Sequence, residues 1–208
     1  MVIFTTLSGS TKGRTTPAVW GIFIGDASGH GPSAAVVIAV VQALLRAHPP
    51  NTAGPAELLR HLNTHLCERP IESSFVTAFL AIYEPVTRRL TYAGAGHPLP
   101  LLRARPGGTA KALDLISGYP LGIDSSQTFM QASVNLDQGD SLLFYTDGIS
   151  ETRNQSGGMF DASGIEQTLN ECNGGPREIV EAVHRAVTTY SNGLPATDDR
   201  TLLAISVL

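Results

Sequence analysis

Between two apolar runs, Trp20 to Ile24 and Ala34 to Leu45, the sequence places Gly25-Asp26-Ala27-Ser28-Gly29-His30-Gly31. A short apolar run closed by turn residues reads as a buried strand, and a long one as a helix. The stretch therefore predicts a strand, a glycine turn and a helix, with an acid at the strand's end. Glycine lets the main chain come close to a ligand. The same grammar returns at Leu142-Leu143-Phe144-Tyr145-Thr146-Asp147-Gly148, and Asp198-Asp199 stands just before a last apolar run, Leu202 to Val207. Three carboxylate sites at strand edges, far apart in the chain, predict one hard-cation site closed by the fold.

The rest of the chain supplies the frame. Val2-Ile3-Phe4 is an apolar patch, and Ser8 to Arg14 reads as a flexible polar turn or loop. Ala18 to Gly25 is predicted as a strand. Pro32-Ser33 suits a helix start, and Ala34 to Ala47 is apolar almost all round, which predicts a helix buried on more than one side. Its stop is His48-Pro49-Pro50. Leu58, Leu59, Leu62 and Leu66 recur at helical spacing between Gly54-Pro55 and Pro70. From Ser73 the period becomes that of sheet. Phe75 to Tyr83 and Arg89 to Ala95, joined by Glu84-Pro85-Val86-Thr87-Arg88, form a hairpin. Leu99 to Arg103, Phe129 to Leu136, Ser141 to Thr146 and Thr201 to Leu208 follow as strands. Glu151 to Gly158 reads as a mobile surface loop, and Ile165 to Leu169 and Pro176 to Tyr190 as helices. Hairpins and helix pairs in blocks favour antiparallel sheet packed with helices, an α+β arrangement.

Composition excludes several classes. A chain of 208 residues, 42% hydrophobic, can bury a core as one domain. Its net charge is -4 and no basic stretch tracks a phosphate backbone, so nucleic acid is not expected as a partner. No apolar run nears the roughly 20 residues of a membrane helix, so no membrane insertion is expected. The N-terminus lacks the pattern of a secretory leader. Cys67 and Cys172 have no metal-ligand spacing and read as reduced thiols of a cytoplasmic protein. Oxygen-only ligands select magnesium, manganese or calcium over zinc. Phosphate-loop, nucleophile-elbow and zinc-protease motifs are all missing. Water therefore fits the role of nucleophile better than a covalent Ser or Cys.

With these residues in view, a family resemblance emerges. Gly25 to Gly31 with Pro32-Ser33-Ala34-Ala35 resembles the signature of bacterial SpoIIE/RsbU-type protein phosphatases, of the metal-dependent PPM (PP2C-like) serine/threonine phosphatase superfamily. Ala93 to Pro100 is similar to that family's Ala-Gly-His-Pro turn, and Pro120-Leu121-Gly122 to one of its loops. Gly139 to Glu151 and Asp198-Asp199-Arg200-Thr201 match closely, and the matches run in order from about residue 18 to the C-terminus.

The resemblance implies a four-layer α-β-β-α sandwich, two antiparallel sheets flanked by helices, in a single domain over residues 1–208. It implies one or two Mn2+ or Mg2+ ions. Asp26 would bridge the metals, Ala27 would offer its backbone carbonyl, and Asp147 and Asp198 would ligate one ion. A metal-bridging water would attack a phosphoserine or phosphothreonine. The implied substrate is a STAS-type anti-sigma antagonist in partner-switching control of transcription, with an upstream sensor domain or a homodimer as further context.

One departure stands out. The family carries an earlier Gly-Asp-x-x-Asp motif whose Asp completes the second metal site, whereas residues 1–25 hold neither Asp nor Glu. The first strand pair is then cut short or replaced by Val2 to Thr6: either the chain is a fragment whose upstream part is missing, or the second metal is held weakly, or catalysis is lost. The alternative function is accordingly a catalytically silent module that binds an anti-sigma-type partner. A third is hydrolysis of small phosphate esters.

Other roles stay local. His30 is a candidate general acid or a hydrogen-bonded turn histidine. Thr146 is expected to hydrogen-bond a ligating carboxylate, and Asp199 to orient neighbours or face solvent. His97 is expected to buttress its turn, Asp137 and Asp140 to be turn residues, and Arg14 and Arg153 to be solvated.

Overall fold

The computed structural model describes residues 19–29, 31–48, 54–71, 74–114 and 118–208, and the backbone of 2–7, 10–11 and 14–15. In chain order the strands are β1 (Val2–Leu7), β2 (Ser10–Thr11), β3 (Arg14–Thr15) and β4 (Val19–Ala27), followed by helices α1 (Pro32–Ala47) and α2 (Pro55–Glu68). Next come β5 (Val76–Glu84), β6 (Arg89–Ala95), β7 (Leu101–Arg103), β8 (Ala110–Ala112), β9 (Ala132–Asn135) and β10 (Ser141–Tyr145). Helices α3 (Asp147–Ser150), α4 (Asp161–Glu171) and α5 (Pro176–Ser191) lead to the last strand, β11 (Leu202–Ser206). Ser8, Gly9, Lys12 and Gly13 of the expected polar loop lie outside the described residues, as does His30. The chain divides into two compact units, residues 1–97 with 114–135, and residues 98–113 with 136–208.

In the first unit a five-stranded antiparallel sheet runs in the order β1-β4-β5-β6-β9. β1 pairs with β4 from Val2 opposite Ile24 to Leu7 opposite Val19, so an edge strand does flank the strand that carries Asp26. β4 pairs with β5 through Asp26 opposite Thr77 and Ala27 opposite Val76. Asp26 therefore lies within the strand, which continues past the Gly25 boundary read from sequence. The β5–β6 hairpin forms as expected, with Arg88 at φ 54° in its turn.

Helix α2 starts on Pro55 and buries Leu58, Leu59, Leu62 and Leu66, the face its spacing predicts. Asn63 on the same face ties α2 to the loop after Pro120. It accepts from Gly122 N–H (2.9 Å) and donates to the Asp124 carbonyl (2.8 Å). Helix α1 departs from expectation: Val37 and Val41 are its buried residues, and Ala35, Val36, Ala39 and Ala43 face solvent. Apolar character runs round α1, but one stripe suffices to cover β4, and small alanines lose little by staying wet.

In the second unit the sheet order is β11-β10-β7-β8, again antiparallel. Leu101 and Leu143 from this sheet meet Ile149, Ile165 and Leu169 and the Ile179, Val183 and Val187 stripe of α5 in one core. Arg103, fully buried, donates to the Cys172 and Gly174 carbonyls beyond the end of α4 (2.7 Å to Gly174). Asp140 is more than a turn residue: it is 6% exposed, and its carboxylate accepts from Arg105 N–H (3.1 Å) and Asp137 N–H (2.8 Å). Unpaired, a carboxylate at that depth would be costly; two charge-assisted bonds offset the burial. The class is thus the expected α+β, with two antiparallel sheets, each packed with helices.

Candidate metal centre

β10 ends on Tyr145, and the next residues turn at once into α3, whose first residue is Asp147. An apolar strand, all five residues buried, thus delivers a half-buried carboxylate at its C-terminal end. β11 runs antiparallel to β10, with Tyr145 opposite Leu202, so the residues before β11 arrive at the same end of the sheet. Those residues are Asp198, Asp199 and Arg200. Asp147 and Asp198 offer carboxylate oxygens within 4.8 Å of each other, close enough to share one cation.

Thr146 fastens the two segments. Its N–H donates to the Thr201 carbonyl (3.2 Å), extending the ladder by one step. Its hydroxyl accepts from Thr201 N–H (3.0 Å) and donates to the Asp199 carbonyl (3.1 Å). Thr146 therefore grips main chain, whereas the sequence suggested a bond to a ligating carboxylate. Gly148 explains the Asp-Gly pair. A Cβ there would stand 2.4 Å from the Asp199 carbonyl oxygen, so only glycine lets the Asp198–Asp199 loop come this near. Asp147 Oδ1 accepts from Gly148 N–H (3.0 Å), and Asp198 Oδ1 from Asp199 N–H (2.7 Å). These bonds aim each carboxylate from its own backbone. Asp199 itself is exposed. Tyr145, the last residue of β10, belongs to the core packed by α4 and α5, where burial pushes its phenol up to about 12, with Glu166 and Asp161 adding to the effect.

The first unit presents Asp26, half-buried, one residue before β4 ends. Ala27, the candidate carbonyl donor, is 8% exposed. Ser28 ties the strand end to β5: its N–H donates to the Phe75 carbonyl (2.9 Å) and its hydroxyl accepts from Phe75 N–H (2.9 Å). Thr77, opposite Asp26, hydrogen-bonds His97 Nδ1 at 3.0 Å. His97 is 4% exposed and buttresses its turn, as its sequence context suggested. Arg153 is an exposed surface arginine that closes its own loop on the Gly157 carbonyl (2.9 Å).

Both side-chain donors of the Asp147–Asp198 pair are carboxylate oxygens, with neither thiol nor imidazole between them. That chemistry fits a hard divalent cation. Sequence reasoning missed Gly148 as the residue that admits the second carboxylate; the signal was there in the glycine directly after Asp147. It also missed Asp140, whose burial no local pattern announces.

The family model of stage II sporulation protein E, SpoIIE, matches residues 16–208. This chain belongs to the SpoIIE family. Among curated relatives, phosphoserine phosphatase RsbU of Bacillus subtilis (strain 168) is 25% identical over 186 residues. The match covers 88% of this chain and 54% of RsbU, so the chain spans about half the length of that relative. Among solved structures, the RsbU and RsbW domains of a Mycobacterium tuberculosis protein align with a TM-score of 0.77 at 23% identity, over 99% of this chain and 56% of that one. RsbX, solved in complex with magnesium, aligns with a TM-score of 0.63 at 17% identity, over 98% of this chain and 92% of RsbX. At these identities the structural likeness is one of fold, and the fold is that of the SpoIIE-type PP2C-like phosphatases. Among the described residues, no helix is long and apolar enough to cross a membrane.

Proposed function

We propose that this chain is the catalytic domain of a metal-dependent protein serine/threonine phosphatase. The observation that carries the reading is the Asp147–Asp198 carboxylate pair within 4.8 Å, set at one sheet end in a SpoIIE-family chain. Asp26 and the Ala27 carbonyl complete the ligand set in this reading, and Mg2+ or Mn2+ is the ion; the magnesium complex of RsbX is in keeping with that choice. When bound, the ion supplies Lewis acidity for hydrolysis of a phosphomonoester by water. The protein's own part is positioning. Thr146 and Gly148 hold the exposed Asp198 segment against the half-buried Asp147, so the two carboxylates are presented together. His30 remains a candidate proton donor to the leaving oxygen. The substrate is a phosphoserine or phosphothreonine on a regulatory protein. A STAS-type anti-sigma antagonist fits the relationship to RsbU and the joining of RsbU and RsbW domains in the mycobacterial protein.

Phosphate release from phosphoserine peptides and p-nitrophenyl phosphate, measured with millimolar Mn2+ or Mg2+, tests the reading. Turnover that requires the ion and is abolished by Asp147→Asn supports it; no release from any substrate with either ion overturns it. The lack of Asp or Glu in residues 1–25 favours a second reading, a silent module that binds an anti-sigma-type partner. Calorimetry separates the two: partner binding without uptake of Mn2+ at millimolar concentration selects the silent module.

A further inference from the structure

The second unit holds a cavity of about 370 Å3 between α3, α5 and β11 that the metal reading leaves unused. Its floor is apolar, made by Ile149, Val180 and Leu202. Its rim is charged, with Glu181, His184 and Arg185 on one face of α5 and Arg200 opposite, before β11. The cavity adjoins the acid pair along the chain: Ile149 is two residues past Asp147, and Arg200 two past Asp198.

The rim charges are not equivalent. Glu181 is answered on its own helix, by Arg177 at 2.9 Å and Arg185 at 3.8 Å. Arg200 has no carboxylate within ion-pair distance among the described residues, and its Nε is buried without a hydrogen-bond partner. A guanidinium keeps five donors in a fixed fork, and a buried donor left unmatched is unfavourable. The rim therefore has one cation in excess, a guanidinium without an ion-pair partner among the described residues. The volume stands at the small end of ligand pockets, room for a few side chains over an apolar floor.

We propose that this cavity is a specificity pocket for the protein substrate, taking an Asp or Glu close to the phosphorylated residue. Arg200 receives the carboxylate as a charge-assisted pair, Arg185 adds positive potential at the mouth, and Ile149, Val180 and Leu202 cover the aliphatic stem. The proposal rests on the phosphatase reading, because it makes the acid pair and the cavity two ends of one substrate track.

The test compares two phosphoserine peptides that differ only in flanking residues, acidic in one and alanine in the other. With Mn2+ present, the parent chain is expected to favour the acidic peptide about tenfold in kcat/KM, the effect of one charge-assisted contact. Arg200→Gln is expected to bring that ratio to about one, and Arg185→Glu, an exposed change that leaves the core untouched, to lower it severalfold. Because the ratio compares two substrates on one protein, a general loss of activity in either variant cancels. A parent ratio near one overturns the pocket, and so does a ratio that survives Arg200→Gln. If neither peptide nor p-nitrophenyl phosphate is hydrolysed, the phosphatase reading falls by itself. Fluorescence anisotropy with the unphosphorylated peptides then judges the pocket: tighter binding of the acidic peptide, lost in Arg200→Gln, upholds it, and equal binding overturns it.

Discussion

Two strand ends in this protein carry the same local pattern, an apolar strand, an acid and a nearby glycine, yet the main chain handles them differently. At the end of β4 the acid sits inside the strand, and the hydroxyl of Ser28, two residues on, fastens β5 through Phe75 N–H. At the end of β10 the strand has already stopped, and the hydroxyl of Thr146, one residue before the acid, fastens the approach to β11. The residue fastened at β4, Phe75, is apolar. The segment fastened at β10 brings a second carboxylate with it. The same hydroxyl device thus holds a sheet together in one unit and brings two carboxylates together in the other.

Removing a carboxylate should do most to this contrast. Asp147→Asn and Asp198→Asn are each expected to abolish Mn2+-dependent turnover, at least a hundredfold in kcat/KM. They should also remove the rise in Tm expected of the parent at saturating Mn2+, where an ion at 100 times its Kd contributes about 2.7 kcal/mol. Thermal melts with and without Mn2+ read both effects; a variant that still gains Tm would show that the mutated carboxylate is not a ligand. Gly148→Ala comes next. Its methyl group would collide with the Asp199 carbonyl, and the forced shift should destabilise the apo-protein by about 3 kcal/mol in urea unfolding. Thr146→Val keeps the shape and deletes the hydroxyl that serves two backbone groups. About 2 kcal/mol of stability should go, together with weaker Mn2+ binding by calorimetry. Ser28→Ala is the control at the other strand end, with an expected loss of about 1 kcal/mol. If Ser28→Ala weakened Mn2+ binding as much as Thr146→Val, the contrast between the two ends would fail.

Legibility in the sequence followed periodicity. The leucines of α2 and the β5–β6 hairpin were readable because spacing and turn chemistry agreed. The short strand β8, Ala110–Ala112, had too few residues to show a period. Helix α4 extends to Asp161–Glu171 where only Ile165 to Leu169 could be read, because its outer turns are polar. α1 misled through composition: an apolar surface all round says what a helix tolerates, not what covers it. The acids themselves stood out because each sat at a strand end, with glycine directly before Asp26 and directly after Asp147. What could not be read was the company they keep. Gly148 matters through the Asp199 carbonyl and Asp140 through Arg105, partners 51 and 35 residues away that only the ladder order brings near.

The β10–β11 ladder has a last consequence. Since Thr146 belongs to the ladder and also locks the loop, parting Asp147 from Asp198 means unzipping the end of a sheet. In the metal-dependent reading, an arriving ion would find these oxygens already placed and would lose little affinity to ordering them. Under the same reading a rigid pair would discriminate by radius, because a poorly sized ion could not draw the oxygens to a new spacing without peeling β11 from its neighbour.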